Sequence, residues 1–312
     1  MMKKRLVIGT RGSKLALWQA RWVQRALLAS HANLDVDIQA IKTRGDKILD
    51  VPLAKVGGKG LFVKEIEAAL LDGRIDLAIH SMKDMPGKIP KGLCIGAVPA
   101  REAPGDVFIS RTGQLFSDLS PGSTIGTSSL RRAAQLQAAR PDIKIRSIRG
   151  NLDTRLKKLD AGEFDAIVLA AAGVKRLALT HRITEYLDME TMLPAVGQGA
   201  LCIEIRKGDD RVEKAIAPLD DADTRIAVTT ERAFLNRLEG GCQTPIAAHA
   251  TLKNGMVRFV GLVADLDGRR QFRQSISGTP DMAGEMGIRL AEQLLDQGAG
   301  DILEKLKDLS ND

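Results

Sequence analysis

The sequence predicts two similar, hinged α/β domains followed by a small α+β domain with an antiparallel three-stranded sheet. Its length of 312 residues exceeds one ordinary core, at roughly 150 residues per domain. A strand emptying into a polar helix start occurs twice, at Ile8-Gly9-Thr10-Arg11-Gly12-Ser13 and at Ser123-Thr124-Ile125-Gly126-Thr127-Ser128-Ser129. Beyond residue 222 the order changes, with three strand-like runs grouped between two helices.

Hydrophobic content of 44% and charged content of 27% belong to a soluble globular chain able to bury sizeable cores. The net charge of +7 points to an anionic partner, either nucleic acid or a small polyanion. Aromatics at 3% leave little to stack on bases, and the tail from Asp308 to Asp312 is not basic, so no nucleic-acid partner is expected. Three cysteines make no paired framework, and none has ligand spacing with another cysteine or with the four histidines, so no metal is expected. The apolar run before Arg11 is too short for a signal peptide, and no apolar stretch approaches about 18 residues. A cytoplasmic chain without a membrane segment is the expectation, and nothing requires more than a monomer.

In the first half, Leu6 to Gly9 reads as a buried strand, followed by a helix over 14–28 with Leu15, Trp18, Trp22 and Ala26 on one face. Arg11 stands at the mouth between them, where helix-start N–H groups are aimed at an anion. After a strand at 36–41, residues 42–60 hold Lys42, Arg44, Lys47, Lys55 and Lys59 among Gly57, Gly58 and Gly60. Such a stretch is either a lid over something negative or a solvated loop. Phe62 leads into a helix ended by Asp72-Gly73. The strand Ile75 to Ile79 then runs into His80-Ser81-Met82-Lys83-Asp84-Met85-Pro86. Ligands of open α/β sheets bind beyond the carboxyl ends of strands, which makes Asp84 a candidate to hold an ammonium or a pyrrole N–H. An Asp capping the turn before Pro86 is the competing reading.

Proline-bounded connectors at 98–105 and 193–200 suggest that the chain leaves the first domain, builds the second and returns. The expected domains are 1–98 with 199–218, then 105–193, then 222–312, the first two forming a periplasmic-binding-protein-like hinged pair that closes around ligand. Within the second, 144–150 reads as a strand ending at Arg149, a helix follows with Arg155, and Arg176 lies beyond a strand at 166–170. From Thr127 to Arg155 seven Lys or Arg stand against two Asp, concentrating guanidinium groups where carboxylates or phosphates would be gripped. In the last domain a helix over 224–237 precedes strands at 247–252, 257–264 and 271–277 and a helix over 282–295. Cys94 and Cys202 each lie in a Leu-Cys-Ile run and read as buried, whereas Gly240, Gly241 and Pro245 put Cys242 on a loop.

Seven runs, in order, resemble the hydroxymethylbilane synthase (porphobilinogen deaminase) family over nearly the whole chain: 9–20, 55–65, 80–86, 126–132, 149–155, 195–200 and 239–246. The resemblance implies a dipyrromethane cofactor bound through a thioether to Cys242. It also implies head-to-tail condensation of four porphobilinogens with release of ammonia, then hydrolytic release of the linear tetrapyrrole, a step of porphyrin and heme biosynthesis. Carried over by motif, Asp84 is the catalytic carboxylate. Cofactor binding falls to Ser81, Lys83, Asp84, Thr127, Ser129, Arg131, Arg132 and Arg155, and substrate binding to Arg11, Gln19, Arg149, Arg155, Arg176 and Gln198. Lys55, Lys59 and Phe62 belong to the lid. The chain departs from the family pattern at Cys202, where glycine is common, at Thr244, where valine is frequent, and at Ala103 and Gly105, where the hinge is usually more charged. These touch hinge stiffness and thiol sensitivity rather than the chemistry. A polyanion-binding protein without chemistry and a nucleic-acid binder are the two other readings; the first leaves Cys242 and Asp84 idle.

Overall fold

The structure is a computed structural model that describes residues 4–47, 62–240 and 244–311. In chain order these form β1 (Lys4–Thr10), α1 (Lys14–Ser30), β2 (Leu34–Ala40), α2 (Arg44–Lys47), α3 (Lys64–Leu71), β3 (Leu77–Ser81), β4 (Leu93–Ala97), β5 (Asp106–Ser110), β6 (Thr124–Gly126), α4 (Leu130–Ala139), β7 (Lys144–Arg146), α5 (Leu152–Asp160), β8 (Ala166–Ala170), α6 (Ala171–Arg176) and β9 (Glu185–Tyr186). The chain continues with β10 (Leu201–Arg206), α7 (Asp210–Ile216), α8 (Ala222–Arg237), β11 (Ile246–Lys253), β12 (Met256–Ala264), β13 (Gln271–Gly278), α9 (Ala283–Leu294) and α10 (Gly300–Asn311). Contacts divide them into two compact units. One holds the described residues up to 102 together with 200–225; the other holds 103–199 and those from 226 onward.

The first unit is built on a five-stranded sheet of order β2-β1-β3-β10-β4. β1 pairs in parallel with β2 and β3, while β10 runs antiparallel to both β3 and β4. One face carries Leu6, Ile8, Leu77, Ile79, Ile203 and Ile205 against α1 and α7; on the other, Ile66, Ala69 and Leu70 of α3 cover Ile75, Ala78 and Leu93. Each leucine or isoleucine among them contributes roughly 1.5–3 kcal/mol by leaving water. The buried stripe of α1 is Ala16, Ala20, Val23 and Leu27, which corrects the face expected from Leu15, Trp18, Trp22 and Ala26. Small and branched residues let the helix lie close on the sheet, and Trp22 packs only at the edge of that core.

The second unit repeats the plan. Its sheet has the order β7-β6-β8-β5-β9, with β6 parallel to β7 and β8, and β5 antiparallel to β8 and β9. Val107, Ile109, Ile167 and Leu169 face one layer while Phe108, Ala166 and Val168 face the other, the period-two burial of a sheet covered on both sides. β7 ends at Arg146, short of the strand expected to reach Gly150, because Ser128 Oγ donates to Ile148 O at 2.6 Å and Gly150 turns the chain with φ +108°.

The same unit holds a three-stranded antiparallel sheet, β11-β12-β13. Phe234 of α8 meets Phe259 of β12 edge to face at 5.4 Å, and Leu290 and Leu294 of α9 close that core. Ala247, Leu262 and Ala264 of this sheet pack with Ala134 of α4 and Leu193. Cys202 is fully buried as expected, but Cys94 on β4 is only half-buried. Among the described residues no helix is long and apolar enough to cross a membrane.

Candidate active site

Both units present polar groups at the carboxyl ends of their parallel strands. In the first, β1 ends at Thr10 and β3 at Ser81, and the two strands are neighbours. Arg11 therefore follows one strand while Lys83 and Asp84, in the single 3-10 turn Met82–Asp84, follow the other. The turn is tied down by Met82 N donating to Ala200 O at 3.0 Å and Met85 N donating to Met82 O at 3.1 Å. Gln19, buried in α1, donates from Nε2 to Ser81 Oγ at 3.1 Å, so two predicted binding residues meet. The Arg11 guanidinium stacks on the Phe62 ring, 4.2 Å from its centroid, and Phe62 also lies against Gly45, where any Cβ would overlap the ring. Lys55, Lys59 and Cys242 lie outside the described residues.

Behind β3 sits a polar cluster that the sequence did not announce. His80 Nε2 is 3.1 Å from Glu204 Oε2, both side chains almost wholly buried, and Glu67 of α3 is buried beside them. Burial, with the Glu204 charge second, raises the Glu67 carboxyl above its ordinary value, against the opposing pull of His80 and Lys64.

In the second unit the predicted residues gather on one edge. Thr127 follows β6, and its Oγ1 accepts from Ser129 N at 3.2 Å. Ser129 caps α4, its Oγ accepting from Arg132 N at 3.5 Å, a bond at the outer limit of hydrogen-bond distance. Arg155 donates from Nε to Gly150 O at 2.9 Å, and Arg149 lies half-buried just before that glycine. Arg176, at the end of α6, donates to Gly199 O at 2.8 Å.

Arg131 and Arg132 are buried, and both engage Asp106, the first residue of β5. Asp106 pairs with Ala170 at the end of β8, which puts its carboxylate on the same edge as Thr127. Burial alone would raise this carboxyl, but Arg131 and Arg132 outweigh it and hold it at about 2. Gln198, expected among the substrate ligands, donates from Nε2 to Pro104 O at 2.7 Å and to Asp106 Oδ1 at 3.0 Å, so its amide nitrogen faces the protein. Arg131 Nε, though buried, has no partner. Two guanidinium groups against one carboxylate leave an excess positive charge in a poorly solvated place, which suits an acidic ligand.

Glu231 of α8 was missed as well. Fully buried, it accepts from Gly197 N at 2.6 Å and from Ala250 N at 2.9 Å, joining the segment that carries Gln198 to β11. A buried acid on a helix has no periodic signature; only its position among Ala227, Val228, Phe234 and other apolar residues hints at it.

Two family models match the chain. The porphobilinogen deaminase dipyromethane cofactor binding domain covers residues 6–214, and the porphobilinogen deaminase C-terminal domain covers residues 225–296. A porphobilinogen deaminase of Syntrophotalea carbinolica is 56% identical over 306 residues, 98% of this chain and 97% of the relative. Those of Syntrophobacter fumaroxidans and Brevibacillus brevis are 54% and 50% identical, covering 96% of this chain in each case and 97% and 96% of the relatives.

Proposed function

The chain belongs to the porphobilinogen deaminase family, and we propose that it condenses four porphobilinogens head to tail into hydroxymethylbilane, using Asp84 as the catalytic carboxylate and Cys242 as the anchor of a dipyrromethane cofactor. The observation that carries this reading is the excess of buried guanidinium over carboxylate around Asp106 in the second unit. Every pyrrole of substrate and cofactor bears an acetate and a propionate, so the donor set of the second unit fits the group. The cofactor, when bound, supplies the nucleophilic pyrrole carbon on which the chain grows.

In this reading Asp84 accepts a hydrogen bond from the pyrrole N–H of porphobilinogen and stabilises the positive charge that spreads over the ring as ammonia leaves. The Asp84 side chain is partly exposed, in the turn Met82–Asp84 that follows β3. Arg11, Arg149, Arg155 and Arg176 hold acetate and propionate groups by paired N–H donors, and Arg131 and Arg132 do so for the cofactor. Following the family's motifs, Thr127, Ser129, Ser81 and Lys83 are further cofactor ligands, and Lys55, Lys59 and Phe62 are assigned to the lid. The three-domain division at 1–98 with 199–218, 105–193 and 222–312 remains part of this proposal, as does a monomeric, cytoplasmic enzyme.

The test is the intact mass of the purified protein. An excess equal to two porphobilinogens less two ammonias, absent from Cys242→Ala, is expected. Asp84→Ala should keep the wild-type fold yet lose nearly all turnover. Wild-type protein that gains no mass on incubation with porphobilinogen, or Asp84→Ala with near-normal turnover, would overturn the assignment.

A further inference from the structure

We infer that Asp106 is a positioning residue for this reaction, aided by Gln198: it sets the aim of the Arg131 and Arg132 guanidinium groups rather than touching substrate or cofactor itself. The inference rests on the function proposed above, adds Asp106 to it, and gives Gln198 a positioning role in place of the substrate contact expected of it.

The geometry is specific. Asp106 Oδ1 accepts from Arg132 Nε at 3.2 Å, from Arg132 Nη2 at 2.7 Å and from Gln198 Nε2 at 3.0 Å. Its Oδ2 lies 2.8 Å from Arg131 Nη2. Each guanidinium is then caught at a second point by a backbone carbonyl, Arg132 Nη1 on Val168 O at 2.9 Å and Arg131 Nη1 on Leu193 O at 2.7 Å. A planar group fixed at two separated nitrogens can neither rotate nor slide, so its remaining N–H bonds point in one direction.

The carbonyls are themselves held. Leu193 donates its N–H to Gln135 Oε1 at 2.8 Å, and Gln135 Nε2 returns a bond to Leu193 O at 3.1 Å. Asp106 is clamped from both sides, since Ala171 N donates to Gly105 O at 3.0 Å and Gln198 Nε2 reaches Pro104 O as well as the carboxylate. Gly197, next to Gln198, is pinned by Glu231. One carboxylate thus arranges two adjacent side chains of α4 and neutralises one of their two charges, leaving the other for an acidic ligand.

Removing the charge at Asp106 should weaken aim more than attraction. The site becomes more positive, so acetate and propionate groups are still drawn in, but the guanidinium planes lose their common anchor. Misplacement of a reacting group by about 1 Å can cost about 100-fold in rate. A residue that only stabilises the fold would lower the unfolding midpoint and leave rates per correctly loaded molecule alone.

The test uses the full chain with Asp106→Asn, Asp106→Glu, Gln198→Met and the double variant Asp106→Asn/Gln198→Met. Three quantities are read: the time course of mass gain when protein lacking the cofactor meets porphobilinogen, kcat and KM per loaded molecule, and the urea midpoint. Both Asp106 variants are expected to load at least about 10-fold more slowly and to turn over about 100-fold more slowly, with KM within about threefold of wild type. Gln198→Met should move loading and kcat in the same direction by about 5-fold. The double variant should be no slower than Asp106→Asn, because both changes act through one carboxylate. If Asp106→Asn does not fold, Asp106→Glu and Gln198→Met still decide the matter. Loading and kcat per loaded molecule at wild-type values in Asp106→Glu and Gln198→Met, with only the urea midpoint lowered, would overturn the inference. Failure of wild-type protein to gain mass would instead sink the function on which it rests.

Discussion

Gly268→Ala should loosen the second unit by a calculable amount. Gly268 closes the turn from Asp265 with φ +72°, and it is buried against α4. A Cβ there would overlap the carbonyl oxygen of Ala134 and stand 3.0 Å from both the carbonyl carbon of Ala134 and Ala138 N. That carbonyl lies within α4, so it cannot swing away without breaking the helix ladder. Two costs add. A left-handed backbone costs a non-glycine residue about 1–2 kcal/mol, and forcing α4 and the turn apart costs about 1–3 kcal/mol more. Gly113→Ala separates them, because Gly113 has φ +81° in the same unit with nothing within 4 Å of its Cβ position. Hydrogen exchange read by mass spectrometry over 130–139 and 256–278 should give a loss of about 2–5 kcal/mol for Gly268→Ala, against about 1–2 kcal/mol for Gly113→Ala. Equal losses would refute the close packing of the three-stranded sheet on α4.

Two further expectations concern pH. Asp106 is held at about 2 against an ordinary value of 3.8, a difference of 3.8 − 2 = 1.8 units, or about 2 kcal/mol. Because the folded value is the lower one, this stability is present above pH 3.8 and is lost as the pH falls toward 2; urea midpoints at pH 4, 3 and 2 should converge for wild type and Asp106→Asn, and a constant gap would contradict the assignment. Glu67 shows the opposite sign: its raised carboxyl favours the protonated form, so that contribution is present below pH 4.5 and lost as the pH rises through the folded value. Glu67→Gln should therefore gain stability over wild type above pH 4.5 and match it below, and a difference in Tm that ignores pH would refute this.

The fold was legible where periodicity was strong. β8 was read at 166–170, where Ala166–Ala170 forms, and the three strands of the last sheet were read to within about one or two residues. Short strands in covered sheets gave weaker signals. β4 and β5 went unread because Leu93–Ala97 and Asp106–Ser110 adjoin a connector rich in proline, and α10 because Gly298 interrupts the pattern with φ +105°. Among site residues, motif-borne ones such as Ser81, Asp84 and Arg131 could be named from the sequence. Their supports could not. Glu204 is a single polar residue in an apolar strand, Asp106 and His80 stand near strand ends and Glu231 follows two threonines, and only the pairing of distant strands and helices shows which charges they meet.

Glu231 bears on how such a chain can be cut and rejoined. Its carboxylate holds Gly197 N and Ala250 N, while Ala248 N donates to Pro194 O at 3.0 Å, so the last sheet is stitched to the segment 193–200 by backbone bonds as well as by apolar contact. Those partners are backbone groups, which every substitution but proline leaves in place, whereas a truncation before Glu231 removes Glu231, Ala248 and Ala250 together. A chain ending near residue 225 would keep every arginine assigned above to substrate or cofactor and lose the scaffold that holds Gly197, and through Gln198 the carboxylate that aims two of them. The C-terminal third is therefore a poor candidate for exchange as a module: recombination between relatives would succeed only where 193–200 and 226–264 are inherited together.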